Sequence, residues 1–184
     1  MWDEEVKKEF EYCGNNVFIG KYCVFTNPSK VRIYDNVRID PFGLFTTALD
    51  IESYSQICSH VVLGGGSKHI IRLKGNNFIG YGSKLFCGSE DYSGKHGLVN
   101  DFWFENEVRH GDITFEKSSG VASDVMVFPG VVLPEGCCIG AKSLVHSKQH
   151  LNEWSVWYGN PLKQKMIRPK QEPIIKPIWQ KSDL

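Results

Sequence analysis

The chain carries six histidines, and their spacing sorts them as candidates for proton transfer. His60 and His69 stand close together, and His69 ends the run Gly64-Gly65-Gly66-Ser67-Lys68-His69. Farther on, Glu90 and Asp91 are adjacent. Either group suits a general base. Neutral imidazole takes up protons near pH 7, and one of two crowded carboxylates gains basicity when its site is dry or the pair repel each other. His96 and His110 are further candidates, whereas His146 and His150 read as surface residues. The triple glycine is not a P-loop, because Gly-Lys-Ser/Thr in that order is missing. It reads as a flexible turn or a close backbone approach between coils, with a part in forming a site as the alternative.

These side chains are positioned by a repeat of six. Phe115, Val121, Val127, Leu133, Ile139 and Val145 are apolar without a slip in register. Four residues after each of the first five stands a compact one: Ser119, Val125, Val131, Cys137 and Ser143. A helix repeats near 3.6 and a half-buried strand at 2. A strict six instead fits a solenoid of very short strands, one hexapeptide per side of each coil. The same register holds for Ile33, Ile39, Phe45, Ile51, Ile57 and Leu63, then for Leu73, Ile79 and Leu85. It breaks near Asn27-Pro28, where two residues are added, and again in the glycine run.

From about 88 to 112 the rhythm disappears. An insertion of this length in a regular solenoid is disordered or functional. Tyr92 and Phe102-Trp103-Phe104 are too apolar for free disorder, so an ordered loop that packs on a protein surface is expected. Residues 1–13 are expected to cap the first coil, with a short helix over 2–12. Residues 14–150 form the coils, and 151–184 a C-terminal extension with a proline-punctuated tail.

The 184 residues suit one domain, and the formal charge is zero. No basic field draws nucleic acid, and no apolar run reaches the roughly 20 residues of a membrane span. The N-terminus has no signal-peptide core, so a cytoplasmic location is expected. Of the six cysteines, Cys23 and Cys137 fall at inward places and read as compact hydrophobes. No pair has the spacing of a zinc knuckle, and no metal is expected.

The six-residue register together with Tyr158-Gly159-Asn160-Pro161-Leu162-Lys163 resembles the hexapeptide-repeat acyltransferases. The resemblance covers roughly residues 14–168. It implies an all-β fold, a left-handed parallel β-helix with a long extruded loop and a short C-terminal extension. Ser89-Glu90-Asp91-Tyr92-Ser93-Gly94 after a glycine-rich turn resembles the sugar acetyltransferases that modify surface-polysaccharide (lipopolysaccharide-type) precursors. The resemblance implies a homotrimer with acetyl-CoA in a cleft between neighbouring β-helices. By position, Ser119, Gly120, Ala122, Ser123, Gly140 and Ala141 resemble the residues that line the pantetheine arm. Lys163 and Arg168 resemble the cations that meet the CoA phosphates.

The implied reaction passes an acetyl group from the thioester of acetyl-CoA to a hydroxyl or amino group of a sugar, a nucleotide- or lipid-linked precursor of a surface glycan. A general base takes the acceptor's proton, and a donor steadies the oxyanion. Relatives that acetylate galactosides place a histidine at the start of the long loop, where this chain has Glu90. His69, His60 and the Glu90–Asp91 pair therefore all stay open as the base. Tyr92, Lys95 and Trp103 are the acceptor-binding candidates, since an aromatic face suits a sugar ring. A xenobiotic or serine-type acetyltransferase and a non-catalytic trimeric scaffold are the alternatives. A γ-class carbonic anhydrase is disfavoured, because only His60 and His69 make a close pair within the repeats.

Overall fold

The computed structural model describes residues 3–89 and 109–172. Nearly all elements are short strands. Among the described residues every strand pairing is parallel except at the base of the long insertion and in the C-terminal hairpin.

The register of six explains why. Each apolar residue of the register points inward, and from Ile33 to Val145 these residues are buried in one continuous core. Burying one such side chain contributes about 1.5–3 kcal/mol. The compact fifth-place residues Ser119, Val125, Val131, Cys137 and Ser143 are buried beside them. Most strands are only two residues long and hold no structure alone. Each is clamped by its equivalents one turn away, as Gln56–Ile57 is by Arg38–Ile39 and Phe78–Ile79. The result is the expected left-handed β-helix, with three faces per turn.

The first face runs through Phe18–Ile19, Arg38–Ile39, Gln56–Ile57, Phe78–Ile79, Gly120–Val121, Cys138–Ile139 and Ser155–Tyr158. The second begins at Val24–Phe25 and passes Lys84–Phe86 and Met126–Val127 to Leu144–Val145. The third runs from Tyr12–Cys13 and Val31–Ile33 to Ile113–Phe115 and Val132–Leu133. Leu44–Ile51 and Val62–Leu73 are long enough to cross from the second face to the third without a break.

The three corners differ. Between the third and first faces, Asn16, Asn36 and Asn76 take positive φ, a conformation asparagine tolerates well. Between the first and second faces the positive-φ residues include Tyr22, Phe42 and His60. Their rings stack in a ladder, with centroids 5.2 Å apart at both steps. The corner between the second and third faces absorbs all the irregularity. A regular turn takes eighteen residues, as from Ile39 to Ile57. The turns from Ile19, Ile57 and Ile79 have two, four and twenty-four extra. These fall at Pro28–Lys30, at 64–69 and between Gly88–Ser89 and Ile113–Phe115, always at this one insertion corner.

The N-terminal helix expected over 2–12 is a single 3₁₀ turn, Val6–Glu9. Tertiary pairing cuts it short, because Tyr12–Cys13 joins Arg32 and Ile33 as a strand. Val6 and Phe10 still pack against the core. At the other end Lys163–Ile167 folds back antiparallel on Ser155–Tyr158, and the expected tail beyond 172 lies outside the described residues. No described helix is long and apolar enough to cross a membrane.

Gly65 marks how closely the coils approach at the insertion corner. Its φ is +129°, and a Cβ there would sit 2.7 Å from the Gly88 nitrogen. Backbone strain alone costs about 1–3 kcal/mol for a residue with a side chain. Gly65→Ala should therefore lower unfolding free energy by at least that amount, read from a urea midpoint.

Candidate active site

The insertion corner gathers the titratable side chains. Val62–Leu73 has four residues more than its turn needs, and it pairs Gly66 with Thr47 and Ile70 with Ala48. Residues 67–69 are thus pushed out as a bulge, with His69 at its end. The next turn leaves the coil after Ser89 and returns through Arg109–His110, which pairs antiparallel with Gly88–Ser89. The chain re-enters the third face with Ile113 beside Ile71. That register sets Asp112 beside Ile70 and His69.

Asp112 is the centre of the cluster. Its Oδ1 lies 3.1 Å from His69 Nδ1 and accepts from the Ile70 amide at 3.3 Å. Its Oδ2 accepts from Arg72 Nη1 at 2.8 Å. The His110 ring stacks on His69, 4.8 Å between centroids and 15° between planes. Partial burial pushes the Asp112 carboxyl up. The Arg72 guanidinium, the Ile70 amide and His69 outweigh this and hold it below the ordinary carboxylate value. An ionised carboxylate only accepts hydrogen bonds, so we assign the proton between the pair to His69 Nδ1. In the neutral ring of that tautomer, Nε2 is the nitrogen with the lone pair. A carboxylate that orients an imidazole in this tautomer is the arrangement of a general base.

The sequence-derived candidates divide as follows. His69 is in the cluster, and the glycine run does stack at the root of the insertion. His60 is not in it: it sits exposed at the aromatic corner, stacked on Phe42. Glu90, Asp91, Tyr92, Lys95, His96 and Trp103 lie outside the described residues. Asp112 and Arg72 escaped sequence reading. Their signal was the hexad register, which places Phe115 beside Leu73 across the insertion.

Of the eight residues matched to CoA binding, Ser119 and Gly120 enter the first face, and Lys163 lies on the strand returning along it. Ala122, Ser123, Gly140 and Ala141 follow its strands at the corner with the second face, and Arg168 lies just beyond the returning strand. The Ser119 hydroxyl is turned inward and donates to the Glu116 carbonyl at 2.6 Å. Gly120 is packed so closely that a Cβ would come within 2.7 Å of the Phe78 carbonyl. Ala122, Ser123 and Gly140 are half-buried, and Ala141 is exposed. Lys163 is exposed on the returning strand. Arg168 rests on the Trp154 ring at 5.7 Å, with Nη1 3.4 Å from the Gly136 carbonyl. The insertion corner lies between the second and third faces, so one chain carries these residues and His69 at different corners of the coil. An open cavity of about 460 Å³ lies farther along the insertion corner, lined by Gly130, Val132, His146 and His150 among others.

Three cysteines are buried in the core, and burial pushes the thiols of Cys58, Cys87 and Cys137 up to about 11. Because the thiolate is the reactive form, these three should resist iodoacetamide at pH 8 in the folded protein. All three should label once urea unfolds it, as peptide mass spectrometry would show.

No family model matches the chain. A dTDP-4-amino-4,6-dideoxy-D-glucose acyltransferase from Escherichia coli is 30% identical over 186 residues, 95% of this chain and 94% of its own. The N-acyltransferase AntD from Bacillus cereus, solved with dTDP and 3-hydroxybutyryl-CoA, superposes with a TM-score of 0.81 at 31% identity. The match covers 90% of this chain and 88% of AntD. A hexapeptide-repeat acetyltransferase from Vibrio cholerae, solved with acetyl coenzyme A, reaches a TM-score of 0.60. At 16% identity, over 90% of this chain and 75% of its own, it shares the fold alone. The β-helix, its single large insertion and this relationship along almost the whole chain place the protein among the hexapeptide-repeat acyltransferases, in the family of the dTDP-4-amino-4,6-dideoxyglucose acyltransferases.

Proposed function

We propose that the protein transfers an acyl group from acyl-CoA to the amino group of a dTDP-linked 4-amino-4,6-dideoxy sugar, with His69 as general base. The observation that carries the reading is the His69–Asp112–Arg72 cluster at the root of the insertion. The amine of the acceptor attacks the thioester carbonyl and forms the C–N bond. His69 Nε2 takes the proton that the nitrogen sheds, and Asp112 steadies the imidazolium. Collapse breaks the C–S bond, and the departing sulfur takes a proton to leave as free CoA thiol. No covalent enzyme intermediate is needed, because the thioester is already activated. Tyr92, Lys95 and Trp103, carried by the excursion that leaves this corner, are the proposed acceptor contacts. The two relatives support an amine over a hydroxyl, since one acts on an amino sugar and the other is an N-acyltransferase.

The working unit in this proposal is a cytoplasmic homotrimer, and each site is shared. His69 of one copy faces the edge of the next copy's first face, where Ala122, Ser123, Gly140 and Ala141 at the corner with the second face flank the pantetheine arm and Lys163 and Arg168 meet the CoA phosphates. The separation of the two residue sets at different corners of one chain supports sharing. The second face offers the contact surface. Its outward column holds Val24 and Leu44, exposed by 52% and 40%, then the half-buried Val62, the exposed Lys84 and the half-buried Met126 and Leu144, with Phe42 beside the first two at the corner. The apolar group of Val24, Leu44 and Phe42 at one end of this column is the proposed contact, since neighbouring exposed apolar side chains mark interaction sites. Leu44→Asp should dissociate the assembly to monomers in sedimentation, keep the β-sheet circular dichroism and lose turnover.

The test is turnover itself. Acetyl-CoA and longer acyl-CoA donors would be incubated with dTDP-4-amino-4,6-dideoxyglucose, and free thiol would be followed. The product should gain one acyl group and survive hydroxylamine, as an amide does and an ester does not. A hydroxylamine-labile product, or thiol release only with unaminated sugars, would overturn the reading.

A further inference from the structure

We infer that Thr47 is a positioning residue that sets the His69 imidazole against Asp112 by fixing the bulge that carries it. The inference rests on the proposal that His69 is the base. Leu44–Ile51 crosses the insertion corner with alternate residues inward. Three of the inward residues, Phe45, Leu49 and Ile51, are apolar, and the fourth is Thr47, 1% exposed. A threonine in such a row needs a partner for its hydroxyl.

The partner is the bulge. The strand register shifts on both sides of Thr47, which faces Gly66 while Ala48 faces Ile70. Residues 67–69 have no counterpart in that pairing. The Thr47 hydroxyl reaches both ends of the bulge, 3.0 Å from the Gly66 carbonyl and 2.8 Å from the His69 carbonyl. One hydroxyl hydrogen is thus shared between the two ends. Cys87 of the following turn adds a second tie, with Sγ 3.6 Å from the Ile70 carbonyl. The backbone of His69 is held from inside the coil while its ring meets Asp112 outside. On the N-terminal side the bulge follows Gly65 and Gly66, both at positive φ, which have no side chain with which to fix it. Without the hydroxyl, the bulge loses the contact that fixes its width, and the ring loses its register with Asp112. A displacement of about 1 Å can cost on the order of 100-fold in rate.

Two variants test this. Thr47→Val removes the hydroxyl at nearly constant shape, and Thr47→Ser keeps it. Thr47→Val should lower kcat about 10–100-fold and change KM for acyl-CoA by less than about threefold. It should also weaken or shift the downfield Nδ1 proton resonance of His69 that reports the bond to Asp112. Thr47→Ser should recover kcat to within about threefold of the parent. If Thr47→Val does not fold, Thr47→Cys, a weaker donor of similar size, carries the same expectation at about 3–10-fold. A folded Thr47→Val with parental kcat and an unchanged His69 resonance would overturn the inference. So would a Thr47→Ser as impaired as Thr47→Val. The resonance is read without turnover, so it still judges Thr47 if His69→Ala shows that His69 is not the base.

Discussion

Replacing His69 with alanine is expected to lower kcat about 10²–10⁴-fold, the range a positioned general base contributes, while CoA still binds. The expectation comes from geometry. Asp112 accepts from Nδ1, Arg72 and the Ile70 amide fix Asp112, and His110 lies flat against the ring. Such an imidazole is oriented on one side and free at Nε2. The loss should appear in kcat with the acceptor saturating, because the base acts in the transition state and not in substrate binding. Isothermal titration with CoA separates this from collapse of the site. The competing assignment is the loop pair. If Glu90→Gln/Asp91→Asn loses most of the rate while His69→Ala keeps it, the base lies in the loop and the cluster has another purpose.

Asp112→Asn should come close to the same loss, for a different reason. The amide can donate as well as accept, so it no longer selects the tautomer with the proton on Nδ1. It also leaves Arg72 without its anionic partner. The base remains but turns its lone pair the wrong way, which predicts a kcat loss of about 10²-fold or more. A stability effect with a definite pH window accompanies it. The folded state holds the Asp112 carboxyl below its ordinary value, so folding favours the ionised form. That stabilisation is fully present above the unfolded value near pH 4 and is lost as pH falls through the lowered folded value. The melting temperature of Asp112→Asn should therefore lie below the parent's at pH 7. The gap should close progressively below pH 4. A gap that widens in acid would contradict the ion pair.

How much of this could be read from the residues alone depends on distance along the chain. The coil was legible because it is local. Phe115, Val121 and Val127 announce the register six residues at a time, and the same residues are buried in the core. His69 was legible because a glycine run breaks that register just before it. Asp112 and Arg72 are forty residues apart in sequence and meet only because Ile113 pairs with Ile71 across the insertion. The hexad count contains that pairing, but only once the insertion is assigned to a corner. The corner also decided between the two histidines. His60 and His69 are close in sequence, yet the solenoid turns one to the aromatic corner and the other to the insertion corner. Thr47 was invisible for a similar reason. A threonine between apolar neighbours looks like an ordinary strand residue until the opposite strand is seen to bulge.

The most direct test of the account is a crystal structure of the assembled protein with CoA and dTDP-4-amino-4,6-dideoxyglucose bound together. The sugar's amino nitrogen should lie within hydrogen-bond reach of His69 Nε2, about 2.6–3.2 Å, with the CoA sulfur beside it and its arm along the edge of the neighbouring copy's first face. A sugar amine far from His69, or a CoA that contacts neither His69's corner nor that face, would contradict it.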